Sequence, residues 1–218
     1  MAVQQETTVP RHQRADAARN RERLLAAADE VFRERGLEAG VGEIAERAGI
    51  GRATLFRNFP TKQALIIAIL ADRMGAAVAE GRAMLAAADG DTEVLLPFID
   101  HMVAGKQMNR GLFEAVAEDA FLTDPEICAV HAEMLDLTGA MVAHDQRHGF
   151  VREGIGAMDV LMLIKGVLAV ACAMGDAGPE AVERHVSLIY AGIAAPGREC
   201  PLRGCTPTAP AGTPRVSD

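Results

Sequence analysis

Between Gly36 and Pro60 the chain is punctuated too tightly for any long helix. Gly36 ends one apolar pattern, Gly49 stands where a sharp turn needs positive φ, and Pro60 lacks the amide that a continuing helix requires. Upstream, Leu24, Leu25, Ala28, Val31 and Phe32 recur at steps of three and four, which predicts one helix over 15 to 35 with a single buried stripe. Residues 41 to 48 form a short second helix that buries Val41, Ile44, Ala45 and Ala48. A third, over 52 to 58, turns Leu55 and Phe59 inward with Ile50 and leaves Arg52, Ala53, Thr54, Arg57 and Asn58 outward. Two short helices joined by a glycine turn of three to four residues form a helix-turn-helix, whose second helix fits a major groove.

Charge singles out the same stretch. The chain carries net charge −8, yet residues 49 to 62, GIGRATLFRNFPTK, hold Arg52, Arg57 and Lys62 and no carboxylate. Arg47 lies just upstream, and Arg11, Arg14, Arg19, Arg21 and Arg23 precede or open the first helix. Residues 1 to 62 carry eleven Lys or Arg against nine acids, and residues 63 to 218 carry eleven against twenty-one. That asymmetry suits a head for a polyanion joined to a body that stays off it. Any Asp or Glu on such a head would be repelled by phosphate, whereas each cation can release condensed counterions.

In residues 19 to 70, RNRERLLAAADEVFRERG, then IAERAGI, then TLFRNFPTKQAL follow one another in order. This stretch resembles the DNA-binding domain of the TetR/AcrR family of transcriptional regulators. The resemblance implies a double-stranded DNA operator read by the third helix. Arg52 has the reach for a guanine edge, Ala53 leaves room for close approach, and Thr54 suits a base or a thymine methyl. Phe56 stands where the family usually has Tyr. It keeps the ring but lacks a phosphate-bonding hydroxyl. Arg57, Asn58 and Lys62 are assigned to phosphate, with Lys62 opening the fourth helix. Gly40 replaces the hydroxyl residue that commonly caps the second helix. Residues 1 to 14 are expected to form a flexible basic arm.

Abundant Ala, Leu and Met with one Tyr and no Trp point to an all-α fold for the whole chain. The expected organisation is a helix-turn-helix domain over 15 to 62, a helical ligand-binding and dimerisation domain over 63 to 195, and a disordered Pro- and Gly-rich tail over 196 to 218. Thr61 can cap a long fourth helix to about residue 88. Further helices are expected at 91 to 105, 109 to 120 and 124 to 148, the last opened by Thr123 and Glu126. Residues 157 to 174 are apolar almost all round and need burial on more than one face. A final helix runs over 179 to 194.

The resemblance also implies a homodimer through those last two helices and a small-molecule effector in the body. Phe98, His101, Met102, Phe113, Met134, Met141 and Lys165 are the candidate ligand residues, with Glu114, Phe121 and Met162 beside them. Periodicity alone does not show a pocket, since Met and Phe at helical intervals are more often plain core. Neither a metal nor an organic cofactor is expected. Cys200 and Cys205 lack zinc-knuckle spacing, and His144 and His148 have no evident third ligand.

Enzyme classes find little support. The two serines, Ser187 and Ser217, lie outside any G-x-S-x-G, and neither H-E-x-x-H nor a P-loop is present. The start MAVQQETTVP has no apolar signal region, and no apolar run reaches membrane-spanning length, so a cytoplasmic protein is expected. A helical small-molecule carrier or scaffold without sequence-specific DNA binding is the alternative reading of the body. It gives no reason for the basic groups.

Overall fold

The computed structural model describes residues 11–104, 123–174 and 179–204. These residues form α1 (Arg11–Arg35), α2 (Val41–Arg47), α3 (Arg52–Asn58), α4 (Lys62–Ala87), α5 (Leu95–Ala104), α6 (Pro125–Arg147), α7 (Ala157–Met174) and α8 (Pro179–Ile193). The fold is all-α. Among the described residues the one extended pairing is an isolated bridge between Val151 and Ala194. The chain divides between Leu70 and Ala71 into two compact units, a boundary inside α4 rather than at its start.

In the first unit, α1, α2 and α3 close around Leu24, Ala28, Phe32, Ile44, Leu55 and Phe59, joined by Leu65 from α4; all are buried. Ile50 and Val41 are only half-buried. Turn chemistry ends each element. Gly36 at φ +71° takes its amide back to the Phe32 carbonyl, and Gly49 at φ +63° lets the Ile50 amide reach Ala45. Thr61 accepts from the Ala64 amide at 3.0 Å and so caps α4 as its sequence predicts. Helix α1 begins at Arg11, not 15, so Arg11 and Arg14 of the expected arm lie within it.

In the second unit α6 packs on α7, and α5 packs on α6, α7 and α8. Their shared core includes Phe98, Ile99, Met134, Met141, Val160, Ile164 and Tyr190. Gly81 on α4 lets the same core close, because a Cβ there would lie 2.7 Å from both the Phe98 ring and Leu137.

Helix α5 starts at Leu95, four residues later than the sequence suggests, and its first turn is capped from far along the chain. The fully buried Asp145 carboxylate accepts from the Val94 amide at 3.1 Å and the Leu95 amide at 2.9 Å. Asp124, not Thr123, is the N-cap of α6, accepting from the Glu126 amide at 2.9 Å. The helix expected at 109 to 120 lies outside the described residues.

Residues 196 to 204, expected to lack structure, are tied to the body. Arg203 grips Asp100 with two hydrogen bonds of 2.9 and 2.8 Å, its amide donates to Ser187, and Arg198 pairs with Glu93 at 2.6 Å. Burial pushes the Glu93 carboxyl above its usual range against the pull of Arg198. Among the described residues no helix is long and apolar enough to cross a membrane.

Candidate nucleic-acid interface

Helix α3 offers one face to its own unit and one to solvent. Leu55 and the following Phe59 are buried, while Arg52, Ala53, Phe56 and Arg57 are exposed and Thr54 and Asn58 half-buried. Phe56 is 46% exposed, an aromatic ring with no core to serve. Within the face, Arg57 donates to the Thr54 hydroxyl at 3.1 Å and the Asn58 amide to the Thr54 carbonyl at 2.8 Å. These bonds fix the side chains without neutralising the arginine.

The cations of this unit fall into two classes that sequence could not separate. Arg47 is not part of an acid-free surface, since it bonds Glu34 at 2.8 Å and Glu30 at 3.3 Å. The Glu34 hydrogen bond, with Glu30 beside it, raises the Arg47 pKa, and Arg47 in turn holds the Glu34 carboxyl below its ordinary value. Arg35 pairs with Glu43 and Arg33 with Asp29. Arg23 donates to the Ala48 carbonyl at 2.6 Å and so closes the end of α2 onto α1.

Lys62 opens α4, but its ammonium donates to the Leu37 carbonyl and lies 5.9 Å above the Phe32 ring, instead of reaching outward as the phosphate assignment expects. The lysine thereby supplies a donor to a carbonyl just beyond the end of α1. Arg52 and Arg57 make no ion pair with any described residue. Gly40 and Gly51 are the N-caps of α2 and α3, and neither supplies a side-chain bond.

In the second unit the sequence-predicted ligand residues divide. Phe98, Met134 and Met141 are close-packed core, and Met102 is half-buried against it. His101 bonds Glu80 at 2.9 Å, and Lys165 is half-buried on α7 without an ion pair among the described residues. Phe113, Glu114 and Phe121 lie outside the described residues. A surface hollow of about 540 Å³ opens elsewhere, between α7 and α8, where Met162, Leu163, Leu188 and Ile193 meet Arg152 and Asp159. Of the residues singled out in sequence, Met162 alone lines it.

Met158, Met162 and Val170 on α7 and Leu188 on α8 stay exposed, Met162 to 51%. His144 turns its ring to Asp145 at 3.1 Å, and His148 bonds the His144 carbonyl. Among the described residues no group of three or more His, Cys, Asp or Glu is placed to hold a metal.

Known proteins show the same pairing of head and body. The profile of bacterial regulatory proteins of the tetR family matches residues 24–69, and that of the SbtR-like transcriptional regulator C-terminal domain matches residues 91–195. A TetR transcription regulatory protein of Mycobacterium vanbaalenii is 34% identical, with 84% of this chain and 99% of that one covered at a TM-score of 0.62. The chain belongs to the TetR family.

Its members are transcriptional regulators, not enzymes. The TetR regulator SCO0520 of Streptomyces coelicolor is 26% identical over 81% of this chain and 99% of its own, with a TM-score of 0.58. The HTH-type transcriptional activator FasR of Mycolicibacterium smegmatis is 31% identical over 50% of each chain. The chain spans about half the length of the curated relatives it matches.

Proposed function

We propose that this TetR-family protein is a ligand-responsive regulator that binds a near-palindromic operator as a homodimer. The observation that carries the reading is the split among the cations. Arg33, Arg35 and Arg47 are paired within the unit, whereas the α3 face keeps Arg52 and Arg57 without ion pairs, beside an exposed Phe56 and no carboxylate. On DNA, Arg52, Ala53 and Thr54 at the start of α3 face base edges, and Arg57, Asn58 and the Phe56 ring lie along the backbone. Lys62 contributes through its place at the start of α4, its ammonium being held by Leu37.

One recognition helix reads a few base pairs, and two related by a twofold axis read a palindrome. The exposed apolar stripe of Met158, Met162 and Val170, with Leu188 beside the hollow, supports pairing through α7 and α8. Within the body, the Met-rich core around Phe98, Met102, Met134 and Met141, with His101 on α5 and Lys165 on α7 as polar candidates, is the proposed seat of an apolar effector, since Met side chains repack at low cost. By this reading the dimer occludes a promoter and the effector favours a state with mis-spaced recognition helices. Emptying the operator needs about 5.5 kcal/mol of differential ligand affinity, a load two subunits share. In vitro transcription gives the sign of control, which the name of FasR as an activator makes worth measuring.

Selection of genomic fragments on the purified protein tests the reading. A near-palindromic site bound by the native chain and lost in Arg52→Ala is the expected result. Weak, unselective binding that ignores salt would instead favour the helical carrier.

A further inference from the structure

Gly42 lies at the second position of α2 with ordinary helical φ, so nothing in its backbone calls for glycine. An alanine there would be the better helix former. What glycine supplies is space. A Cβ built on Gly42 would run into the Arg52 guanidinium, overlapping Nη2 and standing 3.1 Å from Cζ and 3.2 Å from Nε. The guanidinium of the first residue of α3 is therefore laid against the bare α-carbon of Gly42. No hydrogen bond or ion pair to a described residue holds it there. Arg52 is otherwise exposed, so the Gly42 surface is the contact that gives its guanidinium a direction while its donors stay open.

We infer that Gly42 is a positioning residue, the seat that aims the Arg52 guanidinium before DNA arrives. The inference rests on the DNA-reading role proposed above and names the residue that sets one part of its specificity. Arginine has many rotamers, and a bidentate contact to a base requires one direction; a seat removes the ordering cost from the binding step. A methyl at position 42 takes the seat away. The displaced group is the far end of a flexible side chain, so it can move without disturbing the fold. Gly40 provides the control, since a Cβ there meets nothing within 4 Å.

The test compares native protein, Gly42→Ala, Gly40→Ala, Arg52→Ala and the double variant Gly42→Ala with Arg52→Ala on a randomised DNA library. Gly42→Ala is expected to lower the preference at one base pair of each half-site by about tenfold, the scale of one bidentate contact. Gly40→Ala leaves that preference intact, and Gly42→Ala changes nothing further once Arg52 is gone. In the DNA-free protein, the Arg52 Nε–H resonance, dispersed in the native chain, moves to the solvent-exposed arginine position in Gly42→Ala, with thermal stability retained.

A native preference that Gly42→Ala leaves untouched, or an equal change with and without Arg52, overturns the seat while sparing the operator reading. A native protein with no base preference overturns the operator reading, and the seat with it.

Discussion

The two units solve the same problem, ending short helices and pairing charges, over different distances along the chain. In the first unit most partners are close in sequence. Gly36 closes on Phe32, Arg33 reaches back four residues to Asp29, and Arg47 finds Glu34 thirteen residues away. In the second unit the decisive contacts are remote. Asp145 caps α5 across 50 residues, and Arg203 holds Asp100 across 103. A head built from local rules can be read as a motif, while a body built from remote contacts leaves freedom for the rest of the chain to vary.

The largest test of that contrast is Phe98→Ala. Fully buried beneath Gly81, Phe98 is expected to cost about 3–5 kcal/mol in denaturant unfolding if the core is as tightly closed as the structure shows. A loss near zero would mean that Phe98 borders empty space. Asp145→Ala comes next, at about 3 kcal/mol, because it strands two buried amides at the start of α5. Hydrogen exchange at Val94 and Leu95 should rise in step.

Arg203→Ala, which cuts a partly exposed bidentate pair, should cost about 1 kcal/mol and free residues 196 to 204 to proteolysis. Smallest is Arg47→Ala. Its pairs are open to solvent and only a marginal loss of stability is expected at neutral pH. Glu34 has a lowered folded pKa, so its contribution is present above its unfolded value near 4.5 and fades as pH falls through the folded one. Any difference between Arg47→Ala and the native chain should therefore vanish in acid.

The helices of the head were legible because Leu24, Ala28 and Phe32 keep helical spacing along α1, and because Gly36 and Gly49, both at positive φ, mark the ends of α1 and α2. The charge of the head was legible only in bulk. Nothing in its sequence separates Arg47, which pairs, from Arg57, which does not, since pairing depends on how α1 and α2 lie side by side. Lys62 was assigned outward for the same reason.

In the body, Met and Phe at helical intervals announce a core equally well whether or not it holds a ligand. Asp145 sits in sequence between His144 and His148, and its role as the cap of α5 depends on where that distant helix begins. The Pro- and Gly-rich composition after residue 195 concealed Arg198 and Arg203, whose partners lie about a hundred residues upstream.

The division of cations is the claim on which the functional reading stands, and the salt dependence of operator binding tests it most directly. Log affinity against log salt should fall steeply for the native protein, with Arg57→Ala making the slope shallower by about one for each bound copy and Arg47→Ala leaving it unchanged. Equal slopes for all three proteins, or a larger change from Arg47 than from Arg57, would contradict the account.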